Sequence, residues 1–271
     1  EITTEIFNLT IFFDVELKAL SKEQFDSLIG APELANYRHH LESLRAFAPH
    51  TLSEPEERLI ARMRLTGASA WSQLYTEITS SLRFPVAVDG EIRQLTDAET
   101  RALRTSPDRD LRRRAGESLY TVYSENSRVL TYIFNTLFQD HKLSLGLRSY
   151  SDPIEPTALA NELSPDVIEV LLRTVESRYS LVQEYYRLKA RLMGLEDDFH
   201  FYDVLAPLNP VEPRYDFQGA KALVLDAFHR FDPKAGEIAR TFFDREWIDA
   251  TPRAGKRGGA FCSGLLPAYH P

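Results

Sequence analysis

Two stretches of the chain open on the same tripeptide, Ser106-Pro107-Asp108 and Ser164-Pro165-Asp166. Serine caps a helix. Proline in the first turn presets φ and lacks only an N–H that the turn does not use. Aspartate then faces the positive helix end. After the first tripeptide, Leu111, Ala115, Leu119, Val122, Asn126, Val129, Ile133, Leu137, His141 and Leu145 recur at steps of three or four, with Gly146 as a stop. After the second come Ile168, Leu171, Leu172, Val175, Leu181, Tyr185, Leu188 and Leu192, before Gly194. This spacing predicts two long amphipathic helices, one ending at Gly146 and one at Gly194.

The rest of the chain follows the same period. Leu34, Tyr37, Leu41 and Leu44 form one apolar stripe between Pro32 and Phe47. Ser53 with Glu56 is a capping box that opens a helix carrying Leu59, Ile60 and Met63, and Thr96 with Glu99 is a second. Trp71, Leu74, Tyr75, Ile78 and Leu82 share a face after Gly67. Phe84 to Arg93 alternates and turns at Asp89-Gly90, which predicts a short hairpin. Phe199 to Pro213 holds three prolines and reads as a connector, and two more helices are expected over 217–231 and 233–247. From Thr251 the glycines Gly255, Gly258, Gly259 and Gly264, with Pro252 and Pro267, read as loop and strand. The expected fold is mostly α: a multi-helix array with a β-hairpin near 84–93 and loop or strand at the C-terminal end. No internal repeat appears, which disfavours a solenoid.

The 271 residues are 43% hydrophobic and 11% aromatic, enough for a sizeable core. The formal charge of −8 argues against a nucleic-acid partner, which needs a basic face. No apolar run reaches the length of a membrane span. The one cysteine, Cys262, permits no intrachain disulfide, and a reducing, cytoplasmic compartment is expected. The chain begins at Glu1 rather than Met and shows no signal peptide, so its start is expected not to be that of the gene product.

Direct chemical signals are few. A helical zinc site needs two histidines four apart with a glutamate between them. None of His39, His40, His50, His141, His200, His229 and His270 forms such a pair. His141 lies in the apolar pattern and reads as a hydrogen-bonded core residue. Cys262 reads as a small buried thiol rather than a nucleophile, for want of a supporting histidine arrangement. Arg109, Arg112, Arg113 and Arg114, set beside Asp108 and Asp110, read as a solvated face. Gly258-Gly259 lacks the lysine and hydroxyl residue of a phosphate loop, and a tight turn or close backbone approach to a peptide suits it better.

Read in order, several segments resemble the oligoendopeptidase F family of thimet-oligopeptidase-like zinc peptidases. They are Ser106 to Arg113 with Leu119-Tyr120 and Tyr123, then Leu147-Arg148-Ser149-Tyr150-Ser151-Asp152-Pro153, with Ser149 where the family usually has glycine. Next come Tyr185 to Lys189 with Leu192 to Leu195, and then Phe201-Tyr202-Asp203-Val204-Leu205-Ala206-Pro207-Leu208. The most specific is Gly255-Lys256-Arg257-Gly258-Gly259-Ala260-Phe261-Cys262. The resemblance is good from about residue 100 onward and holds only in character before that.

The resemblance implies a zinc-dependent oligoendopeptidase that hydrolyses short peptides inside an enclosed helical channel. The family's metal motif, two histidines flanking a glutamate with a second glutamate further on, would fall after Pro271. The expectation is therefore zinc in the full-length enzyme but no metal ligand or catalytic base in this chain, which alone would be inactive. Residues 1–195 would form the N-terminal helical domain and 196–271 the beginning of the catalytic domain. This chain would supply scaffold and channel wall. Gly258, Gly259, Ala260 and Phe261, within the stretch that runs to Ser263, would offer strand backbone to an extended peptide, or would form a structural turn. Surface that normally meets the catalytic half would favour self-association. Two alternatives stay open: a non-enzymatic helical interaction module, and an enzyme that uses Cys262 or His141.

Overall fold

Helix-start signals in the sequence are met by helix starts in the structure, a computed structural model that describes residues 2–209, 215–256 and 258–262. Ser53 donates its N–H to Glu56 Oε2 at 3.0 Å. Thr96 and Glu99 bond reciprocally, at 2.8 and 3.3 Å. A third capping box, Ser21 with Gln24, closes at 2.9 and 3.2 Å. The described chain is mostly helical with one two-stranded antiparallel sheet. It divides into two compact units, one of 1–76 with 126–186 and the other of 77–125 with 187–271.

The first unit holds α1 (Ile2–Ala19), α2 (Lys22–Ile29), α3 (Arg38–Ala46), α4 (Glu54–Met63) and most of α5 (Ala68–Ser81). Its core gathers Leu17, Phe25 and Leu41, with Leu20, Leu28 and Leu44 packed around them. The stripe over 32–47 is split: Pro32–Tyr37 winds as a 3-10 helix before α3 begins. Arg148 grips Glu57 through two hydrogen bonds of 2.6 and 2.7 Å and donates to the His50 carbonyl at 3.0 Å. The His50 ring stacks on Tyr150 with centroids 3.8 Å apart.

Both long helices expected after the Ser-Pro-Asp starts are broken. In the second unit α7 runs Arg109–Glu125, and in the first α8 runs Ser127–Leu147, with Asn126 between them at φ −95 and ψ 3. Asn126 and Ser127 both have short polar side chains that compete for backbone groups. After the short α9 (Glu155–Ala160), α10 (Pro165–Glu176) ends where Ser177 Oγ donates back to the Thr174 carbonyl at 2.7 Å, and α11 (Tyr179–Leu192) starts afresh. A break that consumes one or two residues leaves the apolar period nearly in phase, so spacing alone does not reveal it. α10 and α11 leave Val170, Leu171, Leu181 and Tyr185 more than half exposed.

In the second unit β1 (Phe84–Val88) pairs with β2 (Glu91–Leu95) in a register that opposes Val88 to Glu91. Asp89 and Gly90 both take positive φ, 53° and 85°, as a two-residue hairpin turn with right-handed strand twist requires. Phe84 packs on Leu119 and Val122 of α7. α6 (Asp97–Leu103) also lies on α7. α12 (Phe217–Phe231) and α13 (Pro233–Asp244) form a hairpin so close that a Cβ at Gly236 would stand 2.9 Å from the His229 Cα. α13 stops at Asp244, short of Trp247, because Glu246 turns to φ 55. The glycine-rich segment contains bends and turns among its described residues, 251–256 and 258–262.

Ser149 sits at φ 55, in the left-handed region where a side chain is strained. Ser149→Gly should therefore raise stability by up to about 1 kcal/mol, the left-handed penalty less the extra chain entropy of glycine. Urea unfolding checks it.

Candidate functional site

The four arginines at the start of α7 do not share a solvated face. Arg112 is 2% exposed and Asp203 0%. Arg112 Nη2 donates to Asp203 Oδ1 at 2.9 Å. Arg109 donates to the same carboxylate from Nε at 3.0 Å and Nη2 at 2.8 Å, and the His200 N–H adds a bond of 3.0 Å. Arg112 further donates to the carbonyls of Ser106, Pro107 and Tyr202. Only Arg113 fits the solvated reading, bridging Asp110 and Glu117 on the surface; Arg114 reaches the Ala87 carbonyl at 3.1 Å.

Burial alone would raise the Asp203 pKa. Hydrogen bonds from Arg109, the His200 backbone and Arg112 outweigh it and hold the group at about 2. The buried Lys189 donates to the Val204 carbonyl at 2.8 Å; desolvation, then Arg112, lowers its pKa. A Cβ at Gly116 would come 2.8 Å from the Phe201 ring, so α7 and the 201–204 turn are in close contact there. Spacing gave no hint of this pairing. The only visible cue was a lone aspartate inside an apolar run, opposite a helix start with surplus arginine.

A second cluster follows α13. Asp249 accepts from Arg253 Nη1 at 2.7 Å and lies 3.1 Å from Lys256 Nζ, which also donates to the Thr251 carbonyl at 3.0 Å. Those bonds, Arg253's first, hold the Asp249 pKa at about 2. The loop so tied carries Gly258, Gly259, Ala260 and Phe261, and all four line one cavity of about 660 Å³. Phe242, Trp247 and Ile248, which the sequence did not single out, line it too. Gly259 stands at φ 109 with open space where a Cβ would be. Arg257 and Ser263 lie outside the described residues.

Cys262 is exposed and lines the same cavity, contrary to the expected buried thiol. The segment that holds it folds as irregular surface backbone, which buries little. His141 is exposed on α8 rather than in a core. His50 joins the Tyr150 stack, His39 reaches Glu162 at 3.0 Å and His200 reaches Asp198 at 2.8 Å; His270 lies outside the described residues. Among the described residues no three His, Cys, Asp or Glu side chains gather so as to hold a metal ion, and no helix is long and apolar enough to cross a membrane. The described residues therefore do not fit a zinc site.

The family profile described as "Peptidase family M3" matches residues 102–270, and that described as "Oligopeptidase F" matches 16–84. The chain is 28% identical over 256 residues to the group B oligopeptidase PepB of Streptococcus agalactiae, covering 93% of this chain and 42% of the relative. It is 23% identical over 265 residues to the oligopeptidase PepF of Bacillus subtilis, covering 96% and 39%. Among solved structures, the oligoendopeptidase-F from Enterococcus faecium superposes with a TM-score of 0.68 at 25% identity, covering 89% of this chain and 46% of that one. The solved structure of PZ peptidase A with inhibitor 2 shares the fold, with a TM-score of 0.72 at 18% identity, over 96% of this chain and 46% of that one. The chain thus spans about two-fifths of the length of the curated relatives it matches.

Asp203→Ala should cost about 3–5 kcal/mol, because it strands a buried guanidinium. The carboxyl pKa is about 2 folded against roughly 3.9 unfolded. A depressed pKa gives stability that is present above about pH 4 and lost as pH falls toward 2. Melting temperature should fall less steeply between about pH 4 and 2 in Asp203→Ala than in the wild type, the remaining acid step coming from other held carboxylates such as Asp249 and Glu57.

Proposed function

The chain belongs to peptidase family M3, and from that premise we propose that its protein is a zinc-dependent oligoendopeptidase that hydrolyses short peptides in the cytoplasm. In this reading residues 1–195 are helical scaffold, residues 196–271 begin the peptidase portion, and the chain forms one wall of a channel. Gly258, Gly259, Ala260 and Phe261 offer backbone to an extended peptide. The observation that carries the reading is the match of the family profile over 102–270, whose span includes the segment lining the cavity. The names of the relatives, oligopeptidases and oligoendopeptidases, support peptides as the substrate class. Zinc and the general base are assigned to the part of the relatives' length that this chain does not span, since the described residues hold no ligand set.

The protein carrying the family's full length should cleave oligopeptides but not a folded protein. A chelator should abolish cleavage and added zinc restore it. Absence of peptide cleavage, or cleavage indifferent to chelation, would overturn the proposal. The apolar side chains left open on α10 and α11 support a further reading, that the chain on its own self-associates. Sedimentation at rising concentration should then show a mass above the 31.0 kDa of one copy, and Val170→Glu should lower it.

A further inference from the structure

We propose that the cavity beside Gly258–Phe261 is a specificity pocket for a bulky, uncharged apolar side chain of the bound peptide, with Phe242 and Trp247 as its walls. This rests on the peptide reading of that segment and adds what the segment selects.

The charged side chains at the cavity, Asp249, Arg253 and Lys256, already hold one another or backbone carbonyls. Asp249 is held by Arg253 and Lys256, and Lys256 spends further donors on the Asp249 and Thr251 carbonyls. Asp97, which a Cβ at Gly258 would approach to 3.8 Å, is taken by Arg101 at 2.7 Å and the Tyr123 hydroxyl at 2.8 Å. An acidic ligand group would compete with Asp249 for Arg253 and Lys256, and a basic one would meet the excess positive charge of these three side chains. An apolar group meets the Phe242 and Trp247 rings, which stand edge to face with centroids 5.3 Å apart, together with Ile248. Phe261 lines the same cavity and adds a further aromatic ring to its apolar surface.

The volume of about 660 Å³ falls in the range of roughly 300–1,000 Å³ typical of small-ligand sites. It has room for a large side chain and some of its backbone. Open space on the Cβ side of Gly259 lets peptide backbone pass close to the wall. An extended peptide turns alternate side chains to opposite faces, so one running along Gly258–Phe261 points a side chain into the cavity. The occupant is thus a residue of the Phe, Leu or Trp kind, and a small residue at that position would bind weakly.

Cys262 is the chain's only cysteine and lines the cavity, which makes it a reporter that needs no catalysis. The rate of Cys262 alkylation by iodoacetamide would be measured in the full chain. Two capped neutral peptides would be compared, identical except for one Phe or Ala. The Phe peptide should slow alkylation at about a tenth of the concentration needed by the Ala peptide. Phe242→Ala should erase that difference, and Phe242→Leu, which keeps an apolar wall, should retain most of it; circular dichroism checks folding of both. Equal protection by the two peptides would overturn the pocket while leaving the peptide reading intact. Protection by neither would overturn both, and a full-length protein that still cleaved peptides would then place its substrate elsewhere.

Discussion

A single buried carboxylate organises much of the second unit. Asp203 draws two guanidinium groups and a backbone N–H onto itself. Arg112, one of those groups, then fastens three carbonyls that no helix satisfies. Removing water from such a cluster is costly unless every charge and donor has a partner. Here the partners come from residues some 90 positions apart in sequence. The start of α7 and the 198–204 turn are therefore one structure. With Lys189 fixed on Val204 and Phe201 against Gly116, the turn has little freedom to shift.

The glycine-rich segment depends on a different economy. Its residues 258–262 are exposed, and over 249–256 the Asp249 carboxylate ties Arg253 and Lys256 into a loop. A side-chain tether of that kind places backbone and leaves it uncovered. The cavity then draws its apolar surface from α13 and the residues just after it, Phe242, Trp247 and Ile248. Rigid helices supplying a wall and an open backbone supplying its edge is an arrangement suited to extended ligands.

Local signals were legible because local chemistry writes them. Capping boxes at Ser53 and Thr96, and the Asp89-Gly90 turn, each satisfy groups within a few residues of themselves. Helix breaks at Asn126 and Ser177 were not legible, since the apolar period runs on through them. Arg109 and Arg112 misled because nearby aspartates offered a sufficient local partner, whereas the structure uses a distant one. Cys262 misled through the usual burial of its residue type and His141 through its place in the apolar period, and both are exposed. Ser149 is the opposite case, a departure from glycine noticed in the sequence whose physical meaning, a left-handed φ, needed the backbone. Of the candidate site, the four residues from Gly258 to Phe261 were visible, but the aromatic wall facing them was not.

Locating a bound peptide tests the proposal that this chain forms a peptide-contacting wall of a family M3 peptidase. A short apolar peptide bearing a photoreactive group would be cross-linked to the full-length protein under chelation, and the adducts mapped by mass spectrometry. Adducts are expected within 258–262 and on Phe242 or Trp247. Adducts confined to other segments, with these residues unlabelled, would contradict it.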